Sequence, residues 1–111
     1  MNCEFQSLYF GDDGYVVRCK QCGHYQIAFM CIAITFAESD YQAFCRIVRC
    51  KCCEADYSFA EHSKCVIIKT PAEGINFLLT KNEAKRFAEI LDEADTEIKA
   101  LSLISLFNPK K

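Results

Sequence analysis

Most of the features that would announce a function are missing from this chain. Its 111 residues contain no run of about 18 apolar residues, so none is long enough to cross a bilayer as a helix. The opening MNCEFQSLYFGDD has no basic segment followed by an apolar one and is not read as a secretory signal. There is no glycine-rich phosphate loop. Only His24 and His62 offer bases that titrate near neutral pH. Asp12 and Asp13 are adjacent, as turn residues often are, and do not make a separated carboxylate pair. Glu93, Asp95 and Glu97 read as the solvated side of a helix. No catalytic set emerges, and the chain is not expected to be an enzyme. A net charge of −2 gives no general attraction to nucleic acid. Positive charge does gather mid-chain, at Arg18, Lys20, Arg46, Arg49 and Lys51.

What is present is apolar side chains and sulfur. Apolar residues make up 51% of the chain, enough for a core and too many for disorder. One domain, residues 1–111, is the natural expectation for this length. Nine cysteines is a high count. With no export signal the expected compartment is the reducing cytoplasm, where a disulfide framework does not persist. An odd number also leaves one cysteine over in any fully paired scheme. Metal ligands, buried apolar cysteines and a reactive thiol remain as uses.

Periodicity gives the organisation. Residues 5–10 read as a strand, Gly11-Asp12-Asp13-Gly14 as a turn, and 15–18 as a second strand ending at Cys19. A longer strand is expected over 24–36, where Ile, Phe and Thr suit a pleated surface. Tyr41, Phe44, Cys45, Ile47 and Val48 then share a face at helical spacing, which predicts a helix over 38–49. Residues 50–63 show no clear period and read as a loop. A hairpin follows over 64–79, turning at Pro71-Ala72-Glu73-Gly74. Thr80-Lys81-Asn82-Glu83 fits a capping box that opens a long helix over 81–106.

The chain also echoes itself. Shifted by the interval from Phe36 to Leu79, Ile32 falls on Ile75, Ile34 on Phe77, Asp40 on Glu83, Phe44 on Phe87, Ile47 on Ile90 and Val48 on Leu91. A duplicated ββα unit is one reading, and chance likeness between two amphipathic stretches is the other. The fold expected is α+β: an antiparallel sheet with two helices on one face and a zinc-ribbon-like hairpin at one end.

That hairpin carries Cys19-Lys20-Gln21-Cys22-Gly23. A Cys-x-x-Cys turn can aim two thiolates at one point while backbone amides support the sulfurs, and Gly23 lets the chain turn tightly. If Phe10 faces Tyr15, the antiparallel register brings Cys3 opposite Cys22, and a one-residue slip or bulge weakens that placement. Cys50 or Cys53 is the favoured fourth ligand of a structural Zn2+ site. A Cys19/Cys22/Cys50/Cys53 shell is the rival arrangement. Cys31 and Cys45 are expected to be buried as small hydrophobes, with Cys65 beside Val66 read the same way. His24 is expected at the surface or hydrogen-bonded.

Two other uses of the knuckle stand as alternatives. A thiol redox pair normally sits at a helix N-terminus, and the flanks here are strand-like. Nucleic-acid binding would draw on Arg18, Lys20, His24 and Tyr25, with the aromatic ring stacking a base.

The final helix has its own pattern. Ala84, Phe87, Leu91, Ala94, Ile98, Leu101 and Ser105 form a seam at gaps of three and four. Ile90, Leu103, Ile104, Leu106 and Phe107 widen the apolar surface. About 25 helical residues span about 37 Å, so the end should overhang a small domain. A homodimer burying residues 98–107 is expected, the alternative being a helix that bends back onto its own sheet.

GYVVRCKQCGHYQIAF, CVIIKTPAEGINFLL and the helix after them resemble a family of small bacterial proteins of unknown function, found mostly in Bacteroidetes. The resemblance covers residues 15–95. The knuckle cysteines correspond to Cys19 and Cys22. Where the family pattern usually has Gly-Thr-Thr, this chain has Met30-Cys31-Ile32, and the Cys-Lys-Cys-Cys cluster is peculiar to it. The resemblance implies no activity. The reading that results is a cytoplasmic binding or scaffolding module, dimeric, with an unidentified protein partner, no membrane span and nucleic acid as the less favoured partner.

Overall fold

The computed structural model describes residues 4–53, 64 and 66–107, with Cys53 described by its backbone alone. The chain is α+β. In order it forms β1 (Phe5–Gly11), β2 (Gly14–Cys19), β3 (Tyr25–Phe29), β4 (Ile32–Phe36), α1 (Glu38–Cys53), β5 (Val66–Lys69), β6 (Asn76–Leu79) and α2 (Lys81–Phe107). The strands make a four-stranded antiparallel sheet in the order β1-β2-β3-β4 and a separate β5-β6 ladder. One sheet was expected, and the difference lies in pairing: β5 finds its hydrogen-bond partner in β6. Contacts divide the chain into two compact units, Met1–Thr35 with Ile90–Lys111, and Phe36–Glu89.

In the first unit, β1 and β2 meet across a two-residue turn at Asp12-Asp13, with Gly11 opposite Gly14 and Phe10 opposite Tyr15. Gly14 is dictated by a close approach, since a Cβ there would collide with the carbonyl oxygen of Ala28 on β3. The register then slips: Tyr9 faces Val16, but Ser7 faces Val17. Leu8, the extra residue of this bulge, is the one buried side chain of β1. A bulge re-aims a side chain at the cost of one ladder position, and here it delivers Leu8 to the core. Strand β3 alternates cleanly, with Tyr25, Ile27 and Phe29 buried. On the other face Tyr15 donates to Gln26 (2.6 Å), whose amide donates to Thr35 Oγ1 (3.2 Å), a polar row across three strands.

The long strand expected over 24–36 is instead a hairpin. The chain reverses at Met30-Cys31, where Met30 adopts φ 61. That conformation is unfavourable for a residue with a Cβ, which is why the β-rich sequence concealed the turn. It is held in part by the Met30 amide, which donates to the Asp13 carbonyl (3.2 Å).

The second unit is built around aromatic rings. Phe44 of α1 lies 4.9 Å from Phe36, 5.8 Å from Phe87 and 6.2 Å from Phe77, centroid to centroid, and Phe77 lies 5.1 Å from Phe87. Such tilted and edge-on pairs add to the stabilisation from burial itself. Strands β5 and β6 contribute alternate residues, Val66 and Ile68 opposite Leu79 and Phe77. Their other faces leave Ile67 and Leu78 exposed as a cross-strand pair.

Helix α1 ends at Cys53, beyond the expected boundary at 49. Residues 50–53 contain neither Gly nor Pro, and extending an established helix costs little. The remainder of the expected loop, 54–63, lies outside the described residues. Helix α2 starts where the capping box places it. The Glu83 amide donates to Thr80 Oγ1 (3.1 Å) and the Thr80 amide donates to Glu83 Oε1 (2.9 Å). Its Ala84, Phe87, Ile90, Leu91 and Ala94 are buried, whereas Leu103, Ile104, Leu106 and Phe107 are exposed. Among the described residues no helix is long and apolar enough to cross a membrane.

Candidate metal site

Of the five cysteines singled out for metal, four lie among the described residues. Cys19 ends β2 and is buried; Cys22 lies in the following turn and is exposed. Cys50 sits in the last turn of α1, exposed to solvent, and Cys53 is the last residue of that helix. Both belong to the second unit. Cys3 lies outside the described residues, as do His62 and Cys65. Among the described residues, no group of three or more His, Cys, Asp or Glu side chains is arranged to hold a metal ion. The cysteines at 19, 22, 31, 45, 50 and 52 carry no disulfide.

The knuckle itself is well formed. The Cys19 amide donates to the His24 carbonyl (2.8 Å), closing the β2–β3 connection, and the Gly23 amide donates to the Cys19 carbonyl (3.0 Å). Within this loop the Cys22 amide donates to Cys19 Sγ at 3.4 Å. A sulfur that accepts a backbone N–H is partly prepared for the negative charge of a thiolate. Gly23 has φ 75, a left-handed conformation that a side chain would disfavour. Gln21 fastens the loop to the neighbouring strand: its Oε1 accepts from the Glu4 amide (2.7 Å). Lys20 donates from its own amide to the Glu4 carbonyl (2.8 Å).

The bulge at Leu8 corrects the register used to place Cys3. Phe5 now faces Cys19, so the alignment that set Cys3 opposite Cys22 is displaced by one residue. Residue Glu4, its neighbour in sequence, is bound at Lys20 and Gln21 instead.

Other sulfur and aromatic assignments divide. Cys45 is buried as expected, but Cys31 is exposed, because it is a turn residue rather than the middle of a strand. His24 is exposed. Tyr25 is buried, with the Arg18 guanidinium 5.9 Å from its ring centroid. A ring so placed is not available to stack a nucleobase. No helix begins at Cys22, so the knuckle lacks the helix-terminal field of a redox pair.

The chain belongs to a family of unknown function (DUF6686), whose family model matches residues 1–108. Searches of curated proteins and of solved structures found no match.

Proposed function

We propose that this chain is a binding or scaffolding module whose Cys19–Cys22 knuckle holds a structural zinc ion and which self-associates through the end of α2. The observation that carries the zinc reading is the hydrogen bond from the Cys22 amide to Cys19 Sγ (3.4 Å) followed by left-handed Gly23. Zinc requires thiolate or imidazole donors in a tetrahedral shell, and a structural site is closed by protein ligands alone. The ion would fix the β2–β3 loop, and Cys3, Cys50 and Cys53 are the candidates for the remaining donors. The decisive experiment is elemental analysis of protein purified without a histidine tag. About one zinc per chain is expected, lost in Cys19→Ser and Cys22→Ser. Serine variants at Cys3, Cys50 and Cys53 identify the other ligands. A full-length, folded protein with no metal would end this reading.

Self-association draws on a different observation. Residues 100–107 carry no charge, yet Leu103, Ile104, Leu106 and Phe107 are each more than half exposed. An apolar patch of this kind on a small protein is normally covered. Light scattering should give twice the 12.7 kDa chain mass, and Ile104→Ser with Phe107→Ser should return a monomer. A wild-type protein that already weighs one chain would remove the proposal.

A further inference from the structure

Next to Cys19 on β2, the first unit holds an arginine in an unusual setting. Arg18 stands two residues from the fully buried Val16, on the same face of β2 by the alternation of the strand. Its direct neighbours across the sheet are Gln6 on β1 and Tyr25 on β3. Its Nη2 donates to Gln6 Oε1 (3.0 Å), its Nη1 reaches the Tyr25 hydroxyl (3.5 Å), and the guanidinium lies over the Tyr25 ring. All of these partners are neutral. Among the described residues no carboxylate pairs with Arg18, although it is half-buried.

This guanidinium opens onto a cleft of about 530 Å³ lined by Gln6, Arg18, Leu101, Ser102, Ser105 and Leu106. The lining is strand on one side and the last turns of α2 on the other. Of the helical residues that line it, Leu106 also belongs to the self-association patch, whereas Leu101, Ser102 and Ser105 do not. Leu101, Ser102, Ser105 and Leu106 follow one side of α2, while Leu103, Ile104 and Phe107 fall on the other.

We propose that this cleft binds a monocarboxylate with an apolar tail. A partly desolvated cation without a counter-ion is costly, and an anion recovers that cost. Among the described residues that line it, the cleft has one cation, which matches the single charge of a carboxylate better than the double charge of a phosphate monoester. Guanidinium has five N–H donors in a fixed plane, and Gln6 and Tyr25 occupy two of them. The rest remain for a carboxylate, whose two oxygens match the arginine fork. The contacts to Gln6 and the Tyr25 ring hold that fork in one orientation, so little freedom is lost on binding. Ser102 and Ser105 supply hydroxyl donors, and Leu101 and Leu106 supply walls for the tail.

The test is titration of the full chain with octanoate below its micellar concentration, followed by 1H–15N chemical shifts and calorimetry. Acetate, 1-octanol and inorganic phosphate are run in parallel. Octanoate should bind at least about tenfold more tightly than acetate, through the buried tail. It should also exceed octanol and phosphate, with shifts centred on the Arg18 side chain, Ser102 and Ser105. Arg18→Gln should weaken octanoate about 10–100-fold, the range for hydrogen bonds to a charged group. Should that variant fold poorly, Ser105→Glu, at an exposed position, places an internal carboxylate by the arginine and should abolish binding. Phosphate binding more tightly than octanoate would overturn the proposal. So would shifts centred on Leu103, Ile104 and Phe107, or unchanged octanoate affinity in Ser105→Glu.

Discussion

Two segments of this chain follow one plan and execute it differently. The first is β3, β4 and α1; the second is β5, β6 and α2. In both, a hairpin runs into a helix after a single residue, Ala37 or Thr80. In both, that residue's carbonyl accepts the first helical hydrogen bond, from Tyr41 (2.8 Å) or Ala84 (2.9 Å). Phe36 and Leu79, Tyr41 and Ala84, Phe44 and Phe87, and Val48 and Leu91 are equivalent pairs, and all are buried. Ile47 and Ile90 break the pattern, the first exposed and the second fully buried. The difference between the segments lies in the local devices. The second has a hydroxyl cap, an acidic partner and a longer turn with Gly74 at φ 84. The first has an alanine at the cap position and a strained methionine in a two-residue turn. A shared hydrophobic pattern therefore sets the elements, while capping and turn chemistry are free to diverge.

Equivalence in the core is the strongest part of this comparison and the most costly to disturb. Phe44→Ala and Phe87→Ala should each lose about 3–5 kcal/mol, by the usual cost of a large cavity. Urea denaturation measures both, and a loss confined to one of them would break the parallel. The turns come next. Met30→Gly should raise stability by about 1 kcal/mol, because it relieves a left-handed conformation while keeping the amide that bonds Asp13. A decrease in the denaturation midpoint would show that the Met30 side chain matters more than its backbone.

The caps give effects no larger than this, and of opposite sign. Thr80→Ala should cost about 1 kcal/mol, and Ala37→Ser should gain about 0.5 kcal/mol by supplying the missing acceptor. If Ala37→Ser changed nothing, α1 would be satisfied at its start by some other means. The smallest effect is that of pH. The Lys64 hydrogen bond above all, then the Thr80 amide and the Lys64 charge, hold the Glu83 carboxyl below its ordinary value of 4.5. The stabilisation from this depressed carboxyl is complete above the unfolded value and disappears as pH falls through the folded one. Wild type and Glu83→Gln should therefore differ in urea midpoint at pH 7 and converge below pH 4.5.

Much of the fold was legible because its signals are local. The Thr80–Glu83 box, the Gly11–Gly14 turn and the helical spacing of Tyr41, Phe44 and Val48 each act over a few residues. The turn at Met30 escaped because nothing in Phe-Met-Cys-Ile resembles turn chemistry. The candidate metal site was half legible. Cys19-x-x-Cys22-Gly23 announces a knuckle, and its amide-to-sulfur bond follows from that spacing, but choosing partners for it required a register that the Leu8 bulge altered. The arginine cleft was not legible as a site, although Arg18 stood out as a charge. Its significance depends on being flanked by Gln6 and Tyr25 and faced by the end of α2.

Composition and periodicity alone determined the element order apart from the β3–β4 turn, the helix starts, most of the buried positions and the tight loop between two cysteines, since each is governed by forces between near neighbours in the chain. Tertiary structure decided that the strands divide into two ladders, that β1 shifts register to bury Leu8, and that Arg18 lies between Gln6 and Tyr25 across the sheet. Those outcomes turn on which distant segments pair and pack, a competition among long-range contacts that no local stretch of sequence encodes.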